Sequence, residues 1–292
     1  MRDEDYRAAK SQNIVRPLNI DDYLLPSMNV TVDDSATPGT IYFANFGFQA
    51  VPNDCFLFNL NEHGEIVRDK PLPSEWGLDF KRQPTGLETY YDISTGCFFG
   101  LDSNWNVIDT FRALNYGTDQ HELLVQPDQS YALLGISMTT MNLKPLIPGG
   151  QDSVIILGDV IQKFDQDGNL VFQWRGIDHY NVLDSKYKDL TATEIDFEHS
   201  NSLAIDTDGN ILLSNRHLCE ISKIDGVTGN FIWRLGGAHN QFQLVGDSIW
   251  FSFQHAVRIL PNLTQGNLTE LTIFDNSNYD TVTGGNFRSM DL

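Results

Sequence analysis

Short runs of residues in which apolar and polar side chains alternate recur along most of the chain. In the clearest copy, HSNSLAID turns back through TDGN into ILLSNRH, and EISKID turns back through GVTGN into FIWRLGG. Alternation with a period of two indicates β-strands, and Gly, Asp and Asn are the residues that tight hairpin turns prefer. Helical periodicity is hard to find outside the acidic N-terminus, so the pattern predicts an all-β protein.

The hairpins group into four-stranded units that repeat about every 40 to 55 residues, which is typical of a β-propeller. We count four complete blades, at about residues 28–73, 84–115, 121–176 and 199–236, and a fifth that begins at His255. Residues 1–27 are interpreted as an N-terminal extension and residues 28–292 as one propeller domain. The tail has too little strand-like sequence to finish the fifth blade, so we predict a propeller that is incomplete at its C-terminus.

Two segments interrupt the repeat. Residues 138–159 (MTTMNLKPLIPGGQDSVIILGD) are predicted to form a loop inside the third blade, and residues 176–195 (GIDHYNVLDSKYKDLTATEI) to join the third blade to the fourth. Long insertions of this kind usually lie at one face of the fold and shape a pocket.

Composition narrows the classes of function. The 292 residues include 19 Lys and Arg against 39 Asp and Glu, a net charge of -20, which repels nucleic acid and anionic membrane surfaces. The three cysteines are too few for a disulfide scaffold and allow at most one pair. The chain has no apolar run that would form a signal peptide or span a membrane. We therefore expect neither nucleic acid nor a membrane as a partner.

Histidines occur at the start of three successive blades, as His121, His199 and His255. The first strand of each propeller blade lines the central channel, so these residues should converge although they are far apart in sequence. Within the fourth blade, the hairpin brings Arg216 beside His199, and Asn201 shares the face of that histidine. Imidazole and guanidinium groups in one cavity are suited to bind an oxyanion and to supply a nucleophile.

Other readings stay open at this point. Each histidine could be a structural residue, which is the interpretation we give to His63, His179, His217 and His239. Several propellers bind a metal with axial histidines. Arg216 argues against a metal, because a fixed cation repels a divalent ion unless acids lie between them. The only acids that directly adjoin these histidines in sequence are Glu122 and Glu198. We expect no metal and no cofactor, and a propeller that binds an anion or a protein without catalysis remains an alternative.

Four motifs occur in a fixed order: H-x-N at residues 199–201, S-x-R-H at 214–217, W-x-L-G-G at 233–237 and F-S-F-Q-H at 251–255. In these motifs the chain resembles the arylsulfotransferase family of β-propeller enzymes. The resemblance implies a six-bladed propeller in the periplasm or outside the cell. It implies a ping-pong transfer of a sulfuryl group from a phenolic sulfate ester to a phenolic acceptor, through a sulfohistidine and without a nucleotide sulfate donor.

The resemblance also implies a role for each candidate residue. His255 matches the nucleophile of the family. His199, Asn201 and Arg216 match the groups that hold the sulfate oxygens, and His121 matches a further histidine at the same site.

Overall fold

A computed structural model of the protein describes residues 30–31, 37–45, 55–72, 76–260, 269–278 and 288–291. The predicted N-terminal extension, residues 1–27, lies outside these ranges. The chain divides into two compact units, residues 1–112 and 113–292. The single propeller domain at residues 28–292 stays a prediction.

The first unit holds two antiparallel sheets whose strands follow chain order. Its strands are β1 (Ile41–Ala44), β2 (Phe56–Leu60), β3 (Ile66–Pro71), β4 (Gly77–Arg82), β5 (Glu88–Asp92), β6 (Cys97–Leu101) and β7 (Val107–Phe111). Strands β1 to β3 form one sheet and β4 to β7 the other. Their core is aromatic, with Trp76, Phe80, Tyr90 and Trp105 packed around Leu57. The predicted opening strand of the first blade falls mostly outside the described residues.

The second unit holds three sheets. Its strands are β8 (Gly117–Val125), β9 (Tyr131–Met141), β10 (Val154–Phe164), β11 (Leu170–Arg175), β12 (Glu194–Asp196), β13 (Ser200–Ile205), β14 (Ile211–Asn215), β15 (Glu220–Ile224), β16 (Phe231–Gly236), β17 (His255–Ile259), β18 (Leu271–Asp275) and β19 (Arg288–Asp291). Strands β8 to β11 form an antiparallel sheet, β13 to β16 a second and β17 to β19 a third.

These sheets have the character of propeller blades: each is an antiparallel meander of three or four consecutive strands joined by tight turns. The described residues contain no α-helix, only two 3-10 turns at Gly176–Asp178 and Val182–Asp184. The predicted all-β propeller class is therefore confirmed. No helix in the described ranges has the length and apolar character needed to cross a membrane.

The two predicted interruptions are only partly loops. Strands β9 and β10 pair without a break, from Tyr131 opposite Phe164 to Met141 opposite Val154. The ends of the predicted loop at residues 138–159 are therefore strand. The segment after β11 also contains a strand, because β12 pairs in parallel with β10. Both departures involve β10: its pairing with β9 extends beyond the reach of β11, and β12 pairs with backbone groups on the edge that β11 leaves open.

The fifth blade also has more strand than the sequence indicates. Strand β19 lies in the tail and pairs with β18, from Thr272 opposite Asp291 to Asp275 opposite Arg288. The blade that begins at His255 therefore has three described strands.

The first strands of the three sheets in the second unit are neighbours. Strand β13 lies against β8 on one side and against β17 on the other. An ion pair joins the outer two, since Nη1 of the partly exposed Arg258 lies 2.8 Å from Oε2 of the fully buried Glu122. The same carboxylate accepts a hydrogen bond from Leu203 N of β13. This arrangement brings together the ends of three strands that are distant in sequence.

Candidate functional site

Three histidines meet where β8, β13 and β17 come together. The ring centroids of His121 and His199 are 5.2 Å apart, and those of His121 and His255 are 6.5 Å apart. Neighbouring first strands therefore bring the three imidazoles into one cluster, which we call the histidine cluster.

Each of these histidines lies at, or one residue before, an irregularity of strand pairing. The register shifts between Thr118 and Leu123 in β8, between Ser200 and Ser202 in β13, and between His255 and Arg258 in β17. Bulges of this kind bend a strand and redirect a side chain, and they are common beside functional sites. His199 itself has a φ of 51°, a conformation that histidine adopts more readily than most residues.

Arg216 lies beside His199, as the hairpin register predicts. Its backbone N donates to the His199 carbonyl at 3.1 Å. The guanidinium carbon lies 4.3 Å from the centre of the Phe253 ring, a cation–π contact that orients the charged group. Phe253 stands two residues before His255, so the segment that leads into β17 positions both the arginine and the nearby histidine.

His217, which the sequence pattern indicates is a structural residue, also lies against this cluster. Its ring centroid is 4.7 Å from that of His199. Nδ1 lies 2.8 Å from the Asp196 carbonyl and Nε2 lies 2.7 Å from Arg216 Nη1. An acceptor at Nδ1 and a donor at Nε2 require the neutral ring with its proton on Nδ1. Burial lowers the pKa of His217 to about 3, in agreement with that tautomer.

The acids nearest the histidines are not the two that the sequence suggested. Asp119 Oδ1 lies 2.7 Å from His121 Nδ1, and Asp196 Oδ2 contacts His199 Nδ1. The sequence reading named Glu122 and Glu198 instead, because they adjoin the histidines along the chain. In a strand, adjacent residues face opposite sides, so Asp119, two positions before His121, shares its face. Asp196 ends β12 and lies three positions before His199, which stands between β12 and β13 and has a positive φ.

The pKa values of His121 and His255 are shifted in opposite directions. Burial alone would lower the pKa of His121, but Asp119, Asp159 and Asp196 outweigh it, so its pKa is raised. The pKa of His255 is lowered to about 4 by burial and by the positive charges of His121, Arg216 and His199. At neutral pH, His255 is therefore neutral, while His121 retains its proton to a higher pH than an ordinary histidine.

Asn201 has a well-defined contact that fixes the strand next to His255. Its Nδ2 donates to the Gln254 carbonyl at 2.7 Å, and the residue is buried. Gln254 in turn donates through Nε2 to Ser214 Oγ and to the carbonyl of Asn215. Asn201 thus positions β17 relative to β13, and its predicted contact with a bound oxyanion stays a prediction.

These features can be compared with known proteins. The family model of arylsulfotransferase (ASST) matches residues 100–291, about two-thirds of the chain. The chain belongs to the arylsulfotransferase family. The matched range includes all five residues predicted for the site, and the resemblance in the sequence motifs is thereby confirmed.

Comparison of this arylsulfotransferase-family chain with curated protein sequences finds no match. Among solved structures, a protein of unknown function from Bacteroides caccae is 10% identical with a TM-score of 0.41, over 81% of this chain and 85% of that chain. A streptogramin B lyase is 13% identical with a TM-score of 0.42, over 90% and 71%. A virginiamycin B lyase from Staphylococcus aureus is 11% identical with a TM-score of 0.41, over 87% and 67%. These values are too low to support an inference about function.

One group of side chains in the arylsulfotransferase fold has the composition of a metal site. Asp196, His199 and His217 each offer a ligand atom, and these atoms lie within 4.8 Å of one another. Both nitrogens of His217 already have hydrogen-bond partners, and one of these partners is the cation Arg216. A divalent ion at this position would displace those bonds and face a fixed positive charge. The contacts therefore favour a hydrogen-bonded anion site over a metal site.

Behind the histidines lies a buried carboxyl pair that no motif indicated. Asp159 Oδ2 accepts from Ser200 N, and Glu198 Oε1 accepts from Asp159 N. Burial raises the pKa of Asp159, and the charges of Asp119 and Asp196 raise it further. Burial and the neighbouring Asp159 raise the pKa of Glu198 in the same direction. The sequence analysis missed this pair because Asp159 falls in a segment that was read as a loop.

Glu198 occupies space that a glycine keeps open. A Cβ on Gly176 would overlap both carboxylate oxygens of Glu198. We expect Gly176→Ala to destabilise the protein by about 1–3 kcal/mol, because the fully buried Glu198 side chain must move. Gly117→Ala is the matched control, since a Cβ there meets nothing within 4 Å. Denaturant unfolding of both variants checks this, and equal midpoints for Gly176→Ala and the wild type would show that the space is not needed.

Proposed function

We propose that this chain is an aryl sulfotransferase that moves a sulfuryl group from a phenolic sulfate ester to a phenolic acceptor through a sulfohistidine on His255. The observation that supports it best is a neutral histidine in one cluster with cationic neighbours. The pKa of His255 is lowered to about 4, while the cluster also contains the guanidinium of Arg216 and His121, whose pKa is raised.

The hydrogen bonds of His255 favour the reactive tautomer. Its Nδ1 lies 3.1 Å from the Phe253 carbonyl and 3.2 Å from Asn276 Oδ1. Two acceptors at Nδ1 hold the ring proton there, so the lone pair lies on Nε2. A neutral imidazole with an oriented lone pair is an activated nucleophile that needs no further deprotonation.

In the proposed first half-reaction, His255 Nε2 attacks the sulfur of the aryl sulfate. The N–S bond forms as the S–O bond to the aryl oxygen breaks, and the electron pair leaves with the phenolate. His121 can protonate that oxygen, because Asp119 raises the pKa of its imidazole. The second half-reaction is the reverse with a new phenol: His121 accepts the phenol proton, the phenolate oxygen attacks sulfur, and the N–S bond breaks.

The remaining groups stabilise the sulfuryl oxygens. Arg216 presents a planar set of donors suited to tetrahedral oxyanions, and Phe253 limits its rotation. His199 has Nδ1 against Asp196, which leaves Nε2 for the site. We assign Arg216, His199 and Asn201 to the sulfuryl group. Preorganised donors of this kind contribute about 2.7–4 kcal/mol each to lowering a barrier.

The proposal extends to partners and location. Donor and acceptor are small aromatic molecules that use the site in turn, and neither nucleic acid nor a membrane takes part. We propose the periplasm or the outside of the cell as its location, which the family resemblance supports.

Incubation with a chromogenic aryl sulfate and a phenol acceptor tests the function. We expect release of the coloured phenol together with sulfation of the acceptor, and initial rates that give parallel lines in double-reciprocal plots. Binding of sulfate without turnover of any aryl sulfate would favour the alternative of a propeller that only binds anions. Turnover that ceases with a chelator and returns with a divalent metal would favour a metal-dependent enzyme.

The pH dependence of kcat/KM should have two limbs. The rate rises as His255 loses its proton, with a pKa of about 4, and falls as His121 loses its proton above its ordinary pKa. In Asp119→Asn, removal of the carboxylate lowers the pKa of His121, so the alkaline limb should move to lower pH while the acid limb stays in place. Asp159, Asp196 and His199 also face His121, so the shift will be partial. An unchanged alkaline limb in Asp119→Asn would contradict the role of His121.

A further inference from the structure

A cavity of about 410 Å³ opens next to the histidine cluster in the second unit. Its walls include the aromatic side chains Tyr187, Trp250 and Phe251, together with Cys219, Gly236 and Ser252. A volume of this size is in the range of small-molecule pockets, which are apolar with a few polar groups. The reaction steps described above use none of these residues.

Phe253 forms the boundary between this cavity and the proposed sulfuryl site. It follows Ser252 of the cavity wall, and its ring centroid is 5.7 Å from that of Tyr187. The same ring contacts the Arg216 guanidinium at 4.3 Å and the His217 ring at 5.4 Å. A flat molecule in the cavity is therefore one aromatic ring away from the arginine.

Cys219 is a second residue at the boundary between the cavity and the proposed sulfuryl site. Cys219 lines the cavity, and its backbone N donates to the Arg216 carbonyl at 3.2 Å. Burial raises the pKa of the Cys219 thiol to about 11, and the charges of both Arg216 and Lys186 act against that rise. Both cations therefore act on the same buried sulfur.

The glycine pair of the W-x-L-G-G motif also belongs to this cavity. Gly236 and Gly237 have φ values of 78° and 63°, which favour glycine. A Cβ on Gly236 would overlap the Cys219 carbonyl and the ring of Phe251. The motif is thus explained by a tight turn that lets β16 end against the cavity wall.

The two charged side chains at the cavity differ in whether they have an ion-pair partner among the described residues. Two ionisable groups of opposite sign line it, Asp184 and Lys186. Asp184 Oδ2 lies 2.9 Å from His239 Nε2, so its carboxylate already has a partner. Lys186 is exposed, and its ammonium makes no hydrogen bond or ion pair in the described part of the chain. A protein with a net charge of -20 thus offers an unpaired cation at this cavity.

We propose that this cavity holds the aromatic ring of the phenolic substrate and selects phenols that carry an anionic substituent, with Tyr187, Trp250 and Phe251 around the ring and Lys186 on the anionic group. This specificity rests on the proposed sulfotransferase function, because the phenolic oxygen must point past Phe253 to the histidine cluster. Donor and acceptor alternate at one site in a ping-pong cycle, so the same preference applies to both.

Equilibrium binding separates this proposal from catalysis. The probes are a hydroxynaphthoate and the neutral hydroxynaphthamide of the same ring, titrated against His255→Ala protein, with quenching of tryptophan fluorescence as the signal. We expect the naphthoate to bind more tightly than the amide. Lys186→Met, added to His255→Ala, should weaken naphthoate binding about fivefold and leave the amide nearly unaffected. Lys163→Met, which lies outside the cavity, is the matched control.

A second variant tests the aromatic wall. Tyr187 is exposed, so Tyr187→Leu should fold normally and should weaken both probes by a similar factor. Equal affinities for naphthoate and amide, or naphthoate binding that Lys186→Met does not change, would overturn the proposal. Absence of binding in a protein that still transfers sulfuryl groups would overturn it as well and leave the sulfotransferase function intact. Charge-selective binding in a protein that transfers no sulfuryl group would uphold the cavity and refute the function.

Discussion

Replacement of His255 with alanine should lower kcat for sulfuryl transfer by roughly 10⁴- to 10⁶-fold, the loss typical of removing an enzyme nucleophile. His255 has its Nδ1 near two acceptors and a pKa lowered to about 4, so its Nε2 lone pair is available at neutral pH. His121 has a raised pKa, and both nitrogens of His217 are engaged. Steady-state rates with a chromogenic aryl sulfate measure the effect.

His63→Ala is the matched control for that variant. His63 is exposed and lies in a turn of the first unit, so its loss should leave kcat unchanged. A His255→Ala enzyme that keeps the wild-type rate would exclude His255 as the nucleophile. A loss of similar size in His63→Ala would point to a general effect of histidine removal.

Arg216→Met should lower kcat by about 10²- to 10³-fold, which corresponds to about 2.7–4 kcal/mol of lost transition-state stabilisation. Charge develops on the sulfuryl and aryl oxygens as the S–O bond breaks, and the guanidinium is held on Phe253 in advance of the reaction. KM should change much less than kcat, because the arginine acts mainly on charge that appears in the transition state.

Two controls make the Arg216 result interpretable. Arg112→Met removes an exposed arginine of the first unit and should have no effect on kcat. Arg216→Lys retains the charge without the planar set of donors, so its rate should lie between those of Arg216→Met and the wild type. If Arg216→Met raised KM with no change in kcat, the arginine would serve substrate binding alone.

Much of the fold follows from local sequence. Period-two alternation and turn residues such as TDG between β13 and β14 predict the hairpins, and the repeat predicts their grouping into blades. The long β9–β10 hairpin and the parallel strand β12 could not be predicted in this way. Their pairing depends on which edge of β10 is available, which is a property of the folded sheet.

The candidate site also combines features that the sequence predicts with features that depend on the folded structure. The positions of His121, His199 and His255 at blade starts predict their convergence, because propeller symmetry acts on whole blades. The partners of these histidines were missed, since Asp119 and Asp196 reach them through bulged or inserted backbone whose register the sequence does not display. One signal was available for His217: it is the last residue of the S-x-R-H motif, directly after Arg216.

Peptide mapping of the enzyme after exposure to an aryl sulfate, with no acceptor present, tests whether the sulfuryl group passes through His255. The digest is kept at neutral to alkaline pH to preserve a nitrogen–sulfur bond. One sulfuryl group should appear on His255, disappear when a phenol is added, and be absent from His255→Ala. Full transfer activity with His255 unmodified under these conditions, or with the group on another residue, would contradict the proposed mechanism.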